Sequence, residues 1–338
     1  MSEAYLLHHL INLSAERAPE SAALTAGSTH WRYAQLQQLQ QQFANGLASL
    51  ALPASERVAV YLEKRLETVV ASFGTAAFGG TFVPVNPLLK AEQVGFILRD
   101  CEVRVLVTSP DRLRLVADEL TRCPSVHTVV VTGAVPQADA LGNWRGRCVG
   151  WAEFLDAAPG RHHSRIDTDM LAILYTSGST GRPKGVVLSH RNMVAGAKSV
   201  ASYLGNRADD VLLAALPLSF DAGFSQLTTG FHAGARVVLI NYLMPMDVLK
   251  AMAREGVTGI TAVPPLYIQL AQMEWPAVID SKLRYFANTG GRMPRETLNT
   301  LRTRVPSAKP FLMYGLTEAF RSTYLPPDEV DRRPDSIG

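Results

Sequence analysis

Apolar residues recur at helical spacing in the longer segments of this chain. Between residues 36 and 50 the large apolar positions are three or four residues apart, and several glutamines lie between them. That period puts the apolar side chains on one face of a helix and the polar ones on the other. The pattern predicts an amphipathic helix whose apolar face is Leu36, Leu39, Phe43, Leu47 and Leu50.

Short apolar runs of strand length lie between such helical segments. The runs 57–61, 104–109 and 129–132 are rich in valine, which is typical of buried strands. The uncharged stretch Thr68–Leu89 contains three glycines and two prolines, so a buried helix followed by a strand fits it better than a membrane span. Strands that alternate with helices predict an α/β fold, here two stacked αβαβα-type subdomains with largely parallel sheets.

One segment of different composition divides the chain. Residues 133–165 are rich in Ala, Gly, Pro, Arg and His, which predicts a connecting segment between two subdomains. The expected organisation is a first α/β subdomain with this connecting segment over 1–165, and a second α/β subdomain over 166–338.

Composition narrows the classes of function. The 338 residues are 47% apolar and 19% charged, as in ordinary globular proteins, and the net charge of +3 is too small to predict nucleic-acid binding. The three cysteines have no paired or zinc-binding spacing, so they read as reduced thiols. The amino terminus lacks the basic start and long apolar core of a secretory signal. We expect a cytoplasmic protein without nucleic-acid or membrane partners.

The segment 175–185, Tyr-Thr-Ser-Gly-Ser-Thr-Gly-Arg-Pro-Lys-Gly, is the strongest candidate for chemistry. It lies between the apolar runs 170–174 and 186–188, which predict two strands. Glycines leave backbone N–H groups free to face an anion, and hydroxyls and a lysine add donors. The loop therefore predicts phosphate binding by Thr176, Ser177, Gly178, Ser179, Thr180, Gly181 and Lys184.

Two other interpretations of this loop remain open from the residues alone. A Gly/Ser/Thr cluster can be a surface turn without a ligand. A P-loop phosphotransferase such as a kinase is disfavoured, because Pro183 precedes Lys184 and a β-branched run follows where that motif needs a helix.

The loop closely resembles the phosphate-binding signature of the AMP-forming adenylate ligases, which include acyl-CoA synthetases, luciferases and peptide-synthetase adenylation domains. Three further segments resemble that family's later motifs in order and spacing: Leu216–Gly223, Asn288–Pro294 and Tyr314–Glu318. The first 110 residues also resemble the family's opening. Complete members continue with a small β-barrel and a mobile carboxy-terminal domain, so the resemblance implies that this chain is the large amino-terminal core only.

The resemblance implies roles in nucleotide binding. Thr176–Lys184 would hold the β- and γ-phosphates of ATP, and Thr317 would bond the α-phosphate. Adenine would lie between Gly290-Gly291-Arg292 and Tyr314, with Gly315 and Leu316 alongside, while Glu318 would bind Mg²⁺. From the residues alone, Thr317-Glu318 could instead begin a helix as its cap and acidic first turn. The residues expected to act in catalysis are Thr180, Lys184, Thr317 and Glu318.

Asp221 helps to predict the class of acid that the protein uses. In amino-acid-activating members the matching motif resembles Phe220-Asp221-Ala222, and the Asp pairs with the substrate's ammonium group. A carboxylate in an apolar cleft is costly unless it meets a cation, so a cationic partner is expected. The alternative is an Asp that caps the following helix or bonds backbone.

The remaining positions that match the family's acid pocket are mostly small: Ala222, Ser225, Ala262, Ala287, Thr289, Met313 and Arg321. They predict a roomy cavity unless Met313 or Arg321 fills it. Arg321 could meet a second carboxylate on the substrate or bond backbone, and the sequence leaves both open.

The resemblance implies ATP-dependent activation of a carboxylic acid as acyl-AMP, then transfer to the phosphopantetheine thiol of coenzyme A or a carrier protein. An amine-bearing acid is favoured over a fatty or aryl acid, which an ordinary acyl-CoA ligase would use. A nucleotide-binding fragment with incomplete catalysis is the other alternative, and this chain alone is expected to turn over poorly. Residues 216–241 resemble ligases found beside exosortase A systems.

Overall fold

A computed structural model describes residues 3–137, 141–176 and 183–338 of the chain. Over these ranges it forms eleven α-helices and fifteen β-strands. The helices are α1 (His9–Arg17), α2 (Tyr33–Ser49), α3 (Leu66–Phe78), α4 (Ala91–Asp100), α5 (Pro110–Leu120), α6 (Trp151–Leu155), α7 (His190–Leu204), α8 (Asp221–Ala233), α9 (Pro245–Glu255), α10 (Pro264–Ala271) and α11 (Arg295–Arg304). The strands are β1 (Ala22–Ala26), β2 (Thr29–Arg32), β3 (Arg57–Tyr61), β4 (Thr81–Pro84), β5 (Val105–Thr108), β6 (Thr128–Val131), β7 (Arg147–Gly150), β8 (Met170–Thr176), β9 (Lys184–Ser189), β10 (Val211–Ala214), β11 (Arg236–Leu239), β12 (Gly259–Ala262), β13 (Tyr285–Asn288), β14 (Lys309–Tyr314) and β15 (Thr323–Leu325).

Two largely parallel sheets organise these elements, which confirms the predicted fold class. The first sheet has the order β7-β6-β5-β3-β4-β8-β9, and its one antiparallel pair is β8 with β9. The second has the order β15-β14-β13-β12-β10-β11-β1-β2, and it is antiparallel only at its two edges. Each antiparallel pair joins strands close in sequence, whereas the parallel neighbours need longer crossovers.

The chain divides into two compact units at positions that differ from the expected boundary at 165. One unit comprises residues 1–13 and 34–191, and the other comprises 14–33 and 192–338. Strand pairing is the reason. The β1–β2 hairpin joins the second sheet because β1 pairs with β11, and β8 joins the first sheet because it pairs with β4.

In the first unit, the uncharged stretch folds as predicted. Helix α3 and strand β4 cover most of it. Both are almost wholly buried, because apart from Glu67 in the first turn of α3 they carry no charged group that would need water. The segment 133–165 was expected only to connect, yet its described part contains β7 and α6. Strand β7 extends the first sheet next to β6.

In the second unit, the strand order contains a reversal. From β10 the chain crosses to β11 on one side, and then returns to β12 on the other side of β10. Open parallel sheets bind ligands at the carboxyl ends of the strands where the order reverses in this way. The core of this unit packs large apolar side chains from β10, β12 and helices α9 to α11.

Candidate functional site

The predicted motifs of the second unit meet at one edge of its sheet. Ala262, Asn288 and Leu312 lie side by side in register on the parallel strands β12, β13 and β14. The segments that follow these residues therefore emerge together at the carboxyl edge. They include the two motifs expected to hold adenine, which begin at Asn288 and Tyr314.

The turn after β13 is built around glycines and a buried amide. Gly290 has φ +73°, a conformation that favours glycine. The Asn288 side chain is 2% exposed, and its Nδ2 donates to the Gly291 carbonyl at 2.8 Å. Both glycines are exposed, so a flat group can approach the backbone there. Tyr314, which is 43% exposed, offers a ring face at the end of the neighbouring strand.

The loop 315–322 after β14 folds back on itself. Ser322 N–H donates to the Tyr314 carbonyl at 2.9 Å. A Cβ on Gly315 would lie 1.9 Å from the Phe320 carbonyl oxygen, so only glycine fits. Phe320 has φ +57° and its ring lies against Gly196 of α7, where a Cβ would come within 2.3 Å of the ring. The loop is thus held by its glycine and by a buried aromatic side chain.

Thr317 and Glu318 lie in a turn within this loop. Ala319 N–H donates to the Leu316 carbonyl at 3.1 Å, and no helix begins here in the described chain. The helix-cap alternative is therefore wrong. Glu318 is exposed, and the described residues hold no group of three or more His, Cys, Asp or Glu side chains around a metal position. A single exposed carboxylate fits Mg²⁺, which usually takes one or two carboxylates and completes its shell with water and substrate phosphate.

The hairpin β8–β9 of the first unit carries the ends of the predicted phosphate loop. Thr176 pairs with Lys184, and the lysine is exposed. The Tyr175 hydroxyl donates to the Asp100 carboxylate, and its ring packs against Gly185, which anchors the hairpin beside the loop. Burial raises the pKa of Tyr175 well above its ordinary value. The remaining phosphate-loop residues lie outside the described residues: Ser177, Gly178, Ser179, Thr180 and Gly181.

Asp221 has a cationic partner within the chain. It lies in the first turn of α8, and its Oδ2 accepts a 2.8 Å hydrogen bond from Arg321 Nη1. The Arg321 side chain is 4% exposed and the Asp221 side chain 14%. A cation was expected for Asp221, and Arg321 now supplies one. The sequence left two alternatives open for Asp221, a helix cap or a hydrogen bond to backbone. Among the described residues, the Asp221 side chain makes neither of these hydrogen bonds.

Four of the predicted pocket residues line one cavity: Ala222, Ser225, Met313 and Arg321. Ala222 and Ser225 come from α8 and Met313 from β14, and Gln226 and Thr229 of α8 were missed. Residues 222, 225, 226 and 229 are spaced three, four and seven apart, so a helical-face analysis of α8 would have found them. The other residues missed are Val200, Leu204, Leu212, Leu213, Gly259, Thr261 and Tyr285.

The other predicted site residues lie at the same sheet edge with differing exposure. Ala262, Ala287 and Thr289 are buried, and Phe220 is 39% exposed. Arg292 is expected beside adenine, and its guanidinium pairs with the exposed carboxylate of Asp335.

Comparisons with known proteins give the family and the fold that this chain is similar to. The sequence profile of the AMP-binding enzyme family matches residues 11–338. Syringomycin synthase SyrB1 of Pseudomonas syringae pv. syringae is 28% identical over 320 residues, which cover 93% of this chain and 48% of SyrB1. Bacitracin synthase 3 of Bacillus licheniformis is 25% identical over 315 residues, which cover 92% of this chain and 4% of that synthase. The chain thus spans about half the length of SyrB1 and a small part of the larger synthase.

Two solved structures extend the likeness to the fold. VinN in complex with 3-methylaspartate is 28% identical with a TM-score of 0.81, and the match covers 98% of this chain and 84% of VinN. A complex of VinN with L-aspartate matches with a TM-score of 0.82. The inhibitor-bound amino-terminal domain of FACL13 from Mycobacterium tuberculosis is 26% identical with a TM-score of 0.83, covering 98% and 82% of the two chains. In the part of this chain that the structure describes, no helix combines the length and apolarity needed to cross a bilayer.

Proposed function

Because the chain belongs to the AMP-binding enzyme family, we propose that it activates a carboxylic acid with ATP. A carboxylate oxygen attacks the α-phosphorus, the bond between the α- and β-phosphates breaks, and pyrophosphate leaves. The product is an acyl-AMP. A thiol then attacks the acyl carbon, which forms a thioester and releases AMP.

One observation carries this proposal. The glycine turn 290–291, the exposed ring of Tyr314 and the carboxylate of Glu318 lie at one carboxyl edge of a parallel sheet. That edge offers a flat backbone surface, an aromatic face and a hard oxygen ligand, which suit adenine and a magnesium-bound phosphate.

Each group has a distinct task in the proposed reaction. Asn288 keeps the Gly290–Gly291 turn open for adenine, and Tyr314 covers the opposite face of the ring. Thr317 donates to the α-phosphate on which negative charge shifts, while Thr180 and Lys184 do the same for the departing phosphates. Glu318 would hold Mg²⁺, whose charge would reduce the repulsion between the acid and the phosphates.

We favour an amine-bearing acid as the substrate. Asp221 lies at the start of α8 beside the cavity, and VinN, a structural relative, holds L-aspartate in one of its structures. The runner-up is an ordinary acyl-CoA ligase for a fatty or aryl acid. Its support is the Asp221–Arg321 pair, because a carboxylate already neutralised by arginine needs no substrate ammonium. The likeness of residues 216–241 to ligases beside exosortase A systems stays a prediction, as does the choice between coenzyme A and a carrier protein.

Pyrophosphate exchange tests the activity directly. The chain is incubated with ATP, Mg²⁺, labelled pyrophosphate and a panel of amino, fatty and aryl acids. Acid-dependent label in ATP is expected, and Thr180→Ala or Lys184→Ala should lower its rate by about 10²–10³-fold, as loss of a charge-stabilising donor commonly does. The exposed Lys282 provides a matched control, since Lys282→Ala should leave the rate unchanged. Exchange that is equally fast in all variants would show that the loop is a structural turn.

A magnesium titration tests Glu318 separately. Glu318→Gln keeps the size of the side chain but removes the charge, so half-maximal exchange should need more Mg²⁺. An unchanged titration curve would remove Glu318 from the proposed metal site.

A further inference from the structure

The guanidinium of Arg321 is the least satisfied buried cation described in the second unit. Its Nη1 donates to Asp221 Oδ2 at 2.8 Å and approaches the Phe320 carbonyl at 3.5 Å. Its Nε and Nη2 are buried and find no hydrogen-bond partner among the described residues. Folded proteins rarely leave such donors unpaired, and an unpaired buried donor commonly marks the place of a ligand or an ordered water.

Arg321, which carries the two unpaired nitrogens, is part of the wall of the cavity. Arg321 lines the cavity together with Ala222, Ser225, Thr229 and Met313. Nε–H and Nη2–H of an arginine point the same way and match the two oxygens of a carboxylate. The cavity has a volume of about 20 Å³, which is space for roughly one water-sized group, so only a small end group of the acid enters it without movement of the walls.

The charges around this cavity set a second condition. Asp221 and Arg321 together are neutral. An acid whose far end carries only an ammonium would leave one buried positive charge in excess, and an acid with only a second carboxylate would leave one negative charge in excess. Unbalanced buried charge is expensive. An uncharged side chain would keep the balance but leave Nε and Nη2 unpaired.

We propose that the acid is a short amino dicarboxylic acid, whose ammonium binds Asp221 while its second carboxylate binds Nε and Nη2 of Arg321. This inference rests on the proposed acid-activating function and names its substrate class. Arg321 is then a specificity-determining residue, and the salt bridge to Asp221 holds its guanidinium in position for the second carboxylate.

Four acids test the contributions of the ammonium and of the second carboxylate separately. L-Aspartate carries the ammonium and the second carboxylate, β-alanine lacks that carboxylate, succinate lacks the ammonium, and propionate lacks both. Binding of each to the chain is measured by calorimetry, with and without a non-hydrolysable ATP analogue. We expect L-aspartate to bind about 10–100-fold more tightly than β-alanine or succinate, since each lost charge-assisted contact is worth that much. Equal binding of β-alanine, succinate and L-aspartate would overturn the proposal.

Variants assign the effect to its residues. Arg321→Met should reduce L-aspartate binding to the level of β-alanine, and Asp221→Asn should reduce it to the level of succinate. Arg321→Lys keeps the charge but not the fork, so it should lose most of the preference while preserving the fold. Arg302→Met, which removes a partly exposed arginine of the same unit outside the cavity, is the control and should bind all four acids like the unaltered chain. If Arg321→Lys and Arg321→Met kept the full preference, Arg321 would have no part in selectivity.

The titration of the nucleotide analogue keeps this inference separate from the activity itself. Absence of analogue binding would count against ATP-dependent activation. If the analogue binds but the four acids bind equally, the proposed ATP-dependent activation is unaffected and the proposed amino dicarboxylic substrate is wrong. The acid titrations without nucleotide report on Arg321 in either case.

Discussion

The second unit contains two aspartate–arginine pairs that are both shielded from water but are completed differently. Asp210 is 0% exposed and accepts hydrogen bonds from Arg284 Nε and Nη2, from Thr258 Oγ1 and from Arg207 N–H. Arg284 also donates to the Gly205 carbonyl at 3.0 Å. Asp221 is held by Arg321 through one nitrogen, and two nitrogens of that arginine remain unpaired in the described structure.

The difference separates a structural pair from a binding pair. Burial alone would raise the pKa of Asp210, but the hydrogen bonds from Arg284, Thr258 and Arg207 hold it below its ordinary value. The chain has therefore satisfied Asp210 from its own groups, and no place is left for a ligand. At Arg321, which lines a cavity, the chain supplies one partner and leaves Nε and Nη2 without a hydrogen-bond partner among the described residues. Hydrogen-bond completeness, and not burial or charge, distinguishes the two.

The largest expected effect is on the structural pair. Asp210→Ala leaves the partly buried Arg284 without its carboxylate, and breaking a buried pair in this way costs about 3–5 kcal/mol. Urea unfolding should show that loss, while the order of preference among the four acids stays the same. A loss below about 1 kcal/mol, the range of an exposed pair, would mean that Asp210 is not the support described here.

Acid should remove part of the same stabilisation. The folded pKa of Asp210 is depressed, so its contribution is fully present above the ordinary value of 3.8 and is lost as pH falls through the lower folded value. The difference in unfolding free energy between the unaltered chain and Asp210→Ala should therefore shrink below pH 3.8. Urea unfolding at several pH values measures it, and a difference that grows with acid would contradict the assignment.

A smaller change in stability is expected at the binding pair. Arg321→Met removes one charge-assisted hydrogen bond and leaves the Asp221 carboxylate without its cation, but it also removes two buried donors without partners, and these contributions oppose each other. The free energy of unfolding should change by less than about 2 kcal/mol, well below the effect at Asp210. A change as large as that at Asp210, measured by the same urea unfolding, would assign Arg321 a structural role.

The smallest effect is expected where neither burial nor a cavity is present. Arg302 pairs with Asp331, whose side chain is 73% exposed. Pairs of this kind contribute about 0–1 kcal/mol, and salt weakens them further. Arg302→Met should unfold within about 1 kcal/mol of the unaltered chain, and added salt should narrow the gap. A larger loss would show that exposure is a poor guide to the worth of ion pairs in this molecule.

Periodicity predicted the elements well where the core decides them. The runs at 57–61 and 104–109 became β3 and β5. The helix predicted from Leu36 to Leu50 became α2, which buries Leu36, Phe43 and Leu47 of the predicted apolar face. Strand β7 was missed since its four residues, Arg147–Gly150, show little apolar bias, and pairing with β6 decides its conformation. Which sheet receives the β1–β2 hairpin depends on pairing between strands far apart in the chain, which no local pattern carries.

The motifs of the candidate site could be recognised in the sequence, but the ion pair between Asp221 and Arg321 could not be predicted from it. The sequence pointed to a cation for Asp221 and left the role of Arg321 open, but nothing in the spacing of residues a hundred apart indicates that they meet. Contact between such distant residues arises from the fold of the loop after β14. Gln226 and Thr229, by contrast, could have been predicted, because helical periodicity places them on the same face of α8 as Ala222 and Ser225.

The loop 315–322 carries residues proposed to select the acid together with residues proposed to act in its activation. It carries Glu318 and Arg321 three residues apart, and it is closed by the contact of Ser322 with Tyr314 and wedged by Phe320 against Gly196. We expect a segment so short and so constrained to move as one body. An acid that seats poorly on Arg321 will therefore also tilt the turn that presents Thr317 and Glu318. Discrimination between acids should then appear in the turnover number as well as in affinity, so that wrong acids occupy the pocket as inhibitors and are seldom converted.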